Sequence, residues 1–235
     1  MAVSVSATDT TGQSNVATGV TSFTYTGLTT LSGDTDLVVF VAWDGLDAGG
    51  VAPTSPSAHW DSTGSNQAMT LVGGLVQTDG EAGGVCSIFY LASPAVGNKT
   101  LSVSWTNSCL YVVSAMSFQG GGSQSNSAGG ITASVGGNFT ASATSASGNY
   151  VVGCFGSALT TFGWGTTTSG TKLANGGSST TLFAWFMYAT GASPTMAGTL
   201  TSSSSGNYAH VVCNITAAGG PPPFVTKYRY HKTIR

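Results

Sequence analysis

LVVFVAW (Leu37–Trp43) and LFAWFMY (Leu182–Tyr188) are apolar at every position but the closing tyrosine hydroxyl. A β-strand turns successive side chains to opposite faces, so a run without alternation needs cover on both sides. Both runs are rich in β-branched and aromatic residues, which favour strands, and both are far too short to cross a bilayer. Working outward from them, the chain shows further short apolar runs between Gly, Ser and Asn clusters. Strands are expected near Val85–Leu91, Thr100–Trp105, Leu110–Phe118, Tyr150–Phe155 and Tyr208–Ile215. Thr100–Trp105 alternates cleanly and places Leu101, Val103 and Trp105 on one face. Helical periodicity is nearly absent. The pattern predicts an all-β fold, an antiparallel β-sandwich of jelly-roll type.

The 235 residues suffice for a sizeable core. Only 6% are charged, against about 25% in ordinary soluble proteins. All eight carboxylates lie at or before Glu81, and four of the six basic residues fall in the last nine positions, KYRYHKTIR. Between Glu81 and Lys227 only Lys99 and Lys172 carry charge. Weak repulsion between copies favours self-association. Sheet edges are usually guarded by Lys or Pro; with Lys so scarce, the edges are expected to be closed by the fold or by neighbouring subunits. The start, MAVSVSATDTTGQSN, has neither the basic nor the apolar region of a secretory signal, so synthesis in a host cytoplasm is expected.

The two halves echo each other. LVVFVAWDG parallels YVVGCFGSA, MTLVGG parallels TKLANGG, and YVVSAMSFQGG parallels HVVCNITAAGG. A sandwich over 1–218 is read, with halves at about 1–118 and 131–218 joined by a flexible Gly/Ser loop, Gln119–Gly130. Two small sandwiches in tandem stay open. Gly219–Pro223 (GGPPP) forms a hinge with a short polyproline spacer. Beyond it, Phe224, Tyr228, Tyr230 and Ile234 alternate imperfectly with Lys227, Arg229, His231 and Arg235, with Lys232 adding a further cation. Extended, these twelve residues reach about 40 Å. Interleaved cations and aromatics suit a docking arm that adds a strand to a neighbour or lies in an acidic groove. The carboxylate-bearing first third of an adjacent copy is one source of such a groove. Nucleic acid is not expected, because the body is uncharged.

The carboxylates, Asp9, Asp34, Asp36, Asp44, Asp47, Asp61, Asp79 and Glu81, sit mostly in Gly-, Ser- or Thr-rich turns, where Asp hydrogen-bonds nearby backbone. No acid lies beyond residue 81 to pair with them across a sugar. His59 and His210 lack a nucleophile-elbow context. DGLDAGG (Asp44–Gly50) lacks the regular ligand spacing of a calcium loop. Cys86, Cys109, Cys154 and Cys213 each fall in an apolar run without metal-ligand spacing. Buried free thiols are expected, three disulfide pairings stay open, and no metal or cofactor is expected. Trp60 and Trp164, read as loop residues, are the candidates for stacking on a sugar ring.

The order LVVFVAW, MTLVGG, SIFYLASPAVGNKTLSVSW, YVVSAMSFQGG and NYVVGCFGSA resembles β-sandwich domains of tailed-phage virion proteins, of decoration or fibre type, over roughly residues 20 to 218. The resemblance implies a non-enzymatic module displayed on a capsid, tail or fibre, with no catalytic residues to transfer; the arm lies outside it. The expectation is a virion protein, oligomeric, whose partners are other virion proteins and copies of itself, with no membrane involvement. Phe224, Lys227, Tyr228, Arg229, Tyr230, Lys232, Ile234 and Arg235 are the expected partner-binding residues. A carbohydrate-binding module using Trp60 and Trp164 is the alternative.

Overall fold

The computed structural model describes residues 2–44, 53–77, 84–134, 138–157, 164–178, 182–200 and 206–219. It is all-β, with antiparallel pairing throughout the described strands. The first half contains β1 (Ser4–Thr8), β2 (Gln13–Tyr25), β3 (Thr29–Thr30), β4 (Asp34–Asp44), β5 (Thr54–Trp60), β6 (Gln67–Ala68), β7 (Thr70–Gln77), β8 (Gly84–Ala92), β9 (Gly97–Asn98) and β10 (Leu101–Gln119). The second contains β11 (Gly121–Ser134), β12 (Asn138–Ser142), β13 (Tyr150–Ser157), β14 (Trp164–Ser169), β15 (Thr171–Ser178), β16 (Leu182–Thr190), β17 (Thr195–Leu200) and β18 (Gly206–Ala217).

The runs read as doubly covered are doubly covered. In β4, Val38, Phe40 and Ala42 enter one core, while Leu37, Val39, Val41 and Trp43 enter another on the opposite face. In β16, Leu182, Ala184 and Phe186 join the first of these cores, and Phe183, Trp185 and Met187 join a third. Three cores therefore separate four layers. Two inner sheets meet at a shared seam: β10–β4–β8–β7, with β1 and β2 along the other side of β10, and β11–β18–β13–β16–β15. One outer layer is built from β2, the first part of β10, β5 and β6 over Phe23, Ala58, Trp60 and Leu101. The other is β12–β17–β14 over Phe139, Ala141 and Met196.

The halves repeat strand for strand. β10–β4–β8–β7 in one corresponds to β18–β13–β16–β15 in the other. Equivalent rows read Met116–Val38–Tyr90–Thr70 and Cys213–Val152–Tyr188–Thr171. Just past them, Ser93 N–H donates to the Thr35 carbonyl and Gly191 N–H to the Asn149 carbonyl, each donor at positive φ. Val38 thus corresponds to Val152, whereas gapless alignment of LVVFVAWDG with YVVGCFGSA puts it on Val151. That one-residue slip would exchange the two faces of the strand. Across the seam β18 lies over β8 and β7, and β10 lies over β16 and β15. Each half therefore meets the other through the same surface, the relation of a two-fold axis.

Two expectations need correction. Gln119–Gly130 is not a flexible loop: β11 starts at Gly121 and pairs along β18, leaving Gly120 (φ 73°) as the joint with β10. An edge strand bonded on one side needs no apolar alternation, so Gly and Ser disguised it. Thr100–Trp105 and Leu110–Phe118 are one strand, β10, whose register shifts between Ser104 and Cys109, where Asn107 takes a positive φ.

The inner-sheet edges are shaped by bulges, with Lys172 the one charge on the β15 edge. β1, β7, β11 and β15 each carry a register shift, and bulges twist an edge away from pairing. β12 has an uninterrupted ladder with β17. There the Tyr208 hydroxyl donates to the Thr140 carbonyl (3.0 Å) and accepts from the Thr140 N–H (2.7 Å). Tyr208→Phe is expected to cost about 1 kcal/mol through the loss of these hydrogen bonds and to promote self-association through the bared edge. Sedimentation velocity of the variant against the unmodified chain checks this; identical monomer fractions would remove the plug role.

Candidate functional site

The carboxylates come first, because any acid–base chemistry would need them. Asp9, Asp34, Asp36, Asp44 and Asp61 are all buried. Asp9 accepts from the Thr11 N–H and hydroxyl and from the Gly12 N–H, spanning the kink between β1 and β2. It also accepts from the Tyr25 hydroxyl. Burial, and then Asp9, push the Tyr25 phenol far above its ordinary range. Asp34 accepts from the Leu31 N–H, the Ser117 hydroxyl (2.6 Å) and the Gln119 amide. Asp36 accepts from the Thr35 and Tyr90 hydroxyls. Burial first, and then Asp36, raise the Tyr90 phenol. Asp9 and Asp34 hold turns through backbone N–H groups, as their sequence context predicts, whereas Asp36 is a buried strand residue bonded to side-chain hydroxyls.

Asp61 accepts from the Ser65 N–H (2.8 Å) and hydroxyl (2.7 Å), and Lys99 Nζ lies 3.5 Å away. The Ser65 backbone bond chiefly, with its hydroxyl and Lys99 assisting, lowers the carboxyl pKa. A depressed folded value adds stability above the unfolded value, near 4, and loses it as pH falls through the lower folded one. The stability difference between the unmodified chain and Asp61→Asn is therefore expected to be constant above about pH 5 and to shrink steadily below pH 4. Urea denaturation between pH 2.5 and 7 measures it; a difference independent of pH would show that the charge contributes nothing.

The aromatic candidates separate. Trp60 closes β5 rather than lying in a loop. It is fully buried, with its indole N–H donating to the Ala95 carbonyl at 2.9 Å. An enclosed ring cannot stack on a sugar, so Trp60 is a core residue. Trp164 begins β14, opposite Leu200. His59 is also on β5, paired with Ser102 and Ala68. His210 lies on β18, stacked on Phe155 at 6.3 Å, and burial lowers its pKa, so it is neutral near pH 7. All four cysteines are buried and free. Among the described residues no group of His, Cys, Asp and Glu is arranged to hold a metal ion.

One hollow opens at the end of the second sandwich, lined by Phe139, Phe155, Gly156, Ser157, Phe183, Trp185 and Tyr208. The ladders explain it. Phe155 corresponds to Val41 and Ser157 to Trp43, whose buried indole plugs the same end of the first sandwich. A serine in place of that indole leaves a gap. It has room for about one water molecule. It is a packing gap, far below the size of a small-molecule site.

Every charged side chain among the described residues has an interaction inside the fold. The five aspartates are bonded as above or buried with contacts of their own; Lys99 faces Asp61, and Lys172 Nζ lies 5.9 Å over the Trp185 ring. Asp47, Asp79 and Glu81, most of the DGLDAGG segment, and the hinge and arm from Pro221 to Arg235 lie outside the described residues. With five of eight acids enclosed, the first third of the chain does not present them as an open acidic groove; only those last three remain for such a surface. No family model and no curated protein matches the chain.

Proposed function

We propose that this protein is a non-enzymatic structural subunit of a phage particle, of capsid-decoration or fibre type, held to another virion protein by Phe224–Arg235. One observation carries the reading. The body buries all five of its described carboxylates and leaves two lysines, Lys99 beside Asp61 and Lys172 exposed over the Trp185 ring, while four of six basic residues are concentrated in one short terminal segment with three aromatics. A charge-poor, hydroxyl-rich sandwich suits close packing on a particle, and a cationic, aromatic arm suits anchorage. The bulged inner edges favour an arm that reaches a different protein over strand addition between copies. The burial of Trp60 takes one of two residues from the carbohydrate-binding alternative.

Deleting Pro221–Arg235 is expected to leave the sandwich folded and to abolish incorporation into particles. Circular dichroism and thermal melting check the fold, and quantitative blotting of purified particles checks incorporation. Normal loading of the truncated chain would refute the anchor.

A further inference from the structure

Three of the four cysteines line the seam, Cys86 on β8, Cys154 on β13 and Cys213 on β18, whereas Cys109 belongs to the first outer core. Cys86 and Cys154 come from opposite halves. A disulfide needs Cβ atoms about 3.5–4.5 Å apart, so across sheets that ordinarily stack about 10 Å apart it forms only where inward-facing positions lie directly opposite and close. Here the sheets pinch together. A Cβ added at Gly84 would sit 2.8 Å from the Ser157 backbone N and C, and one added at Gly156 would sit 3.6 Å from Cys86 Cβ. Gly156 is two residues beyond Cys154 and shares its face of the strand. Cys154 Sγ lies 3.5 Å from the Val41 carbonyl oxygen, to which it donates, and Val41 adjoins Ala42, the ladder partner of Cys86. The two thiols therefore converge from opposite sheets. Burial, then the Cys154 thiol, pushes Cys86 well above the ordinary thiol range. Cys213 is no rival for Cys154: they are diagonal neighbours on adjacent strands, about 7–8 Å apart.

We propose that Cys86 and Cys154 form a reversible disulfide that staples the two halves when the chain meets a small-molecule disulfide oxidant such as glutathione disulfide. One cysteine thiolate attacks the oxidant, giving a protein–glutathione mixed disulfide and one glutathione. The second thiolate displaces the other glutathione and forms the Cys86–Cys154 bond. The two S–H protons pass to the two glutathione thiolates, the protein is oxidised by two electrons, and one oxidant molecule is reduced to two thiols. The reacting species is the thiolate, and burial disfavours it. Closure is thus slow in the native chain and fast during refolding.

The test refolds the full chain from urea in glutathione disulfide with a little glutathione, and in parallel in a phosphine reductant. Free thiols are then alkylated and the unreduced digest is mapped by mass spectrometry. The expected map joins the Cys86 and Cys154 peptides and leaves Cys109 and Cys213 alkylated. The linked chain is expected to melt roughly 10 °C higher, as for a long closed loop, and dithiothreitol should reverse the gain. Cys154→Ala should lose both link and gain, and Cys109→Ala should keep both. A map showing no Cys86–Cys154 peptide, or Cys213 in place of either, overturns the proposal; the unmodified chain alone decides this if a variant does not fold.

Discussion

Gly84→Ala is expected to cost about 3 kcal/mol and to lower the melting temperature by roughly 6–12 °C. Gly84 opens β8 at the point where the inner sheets touch. An added Cβ would overlap the Ser157 backbone, with N and C both 2.8 Å away. Side-chain rotation cannot relieve a clash with main chain. Either β8 or the end of β13 must move, and each is laddered into its own sheet. Gly219→Ala, whose Cβ would meet nothing within 4 Å, is the control and should melt like the unmodified chain. Differential scanning calorimetry reads both. If Gly84→Ala melts at the unmodified temperature, the sheets do not pinch there, and the convergence of Cys86 with Cys154 loses its basis as well.

Phe40→Ala is expected to lose about 3–5 kcal/mol, as buried Phe truncations do. Phe40 is fully buried on β4, and its ring stacks on Phe186 of β16 at 5.5 Å and 22°. Those strands belong to different halves, so the pair reports on the seam rather than on either sandwich. Phe186→Ala should cost a similar amount. The double variant should fall short of the sum by about 0.5–1.5 kcal/mol, the coupling usual for a packed aromatic pair. Equilibrium urea denaturation of the four proteins gives the cycle. Strict additivity, or a two-step unfolding already present in the unmodified chain, would mean that the halves do not share one cooperative core.

Much of the fold is legible in particular residues. LVVFVAW and LFAWFMY lack alternation, and a pleated strand leaves only one way to satisfy that, cover on both faces. Asp9, Asp34 and Asp61 sit among Gly, Ser and Thr and hold turns, because a short carboxylate reaches nearby N–H groups, whereas Asp36 is buried in a strand and bonded to two hydroxyls. The cysteines sit in apolar runs and are buried. The candidate site was less legible. Trp60 follows a loop-like SAH segment yet is enclosed, because β5 pairs with β10 through backbone bonds that leave no apolar signature.

What the amino-acid order alone determines is local: which stretches are extended, which faces are apolar, where acids meet turns, and where the basic residues concentrate. What tertiary structure decides is partnership. The order of residues does not say that the second face of β4 is covered by the other half, that β11 hides in a Gly/Ser run, or that two glycines let the sheets touch beside Cys86 and Cys154. Those outcomes come from contacts between residues far apart in the chain, where shape and register across a seam determine which of several apolar faces meet.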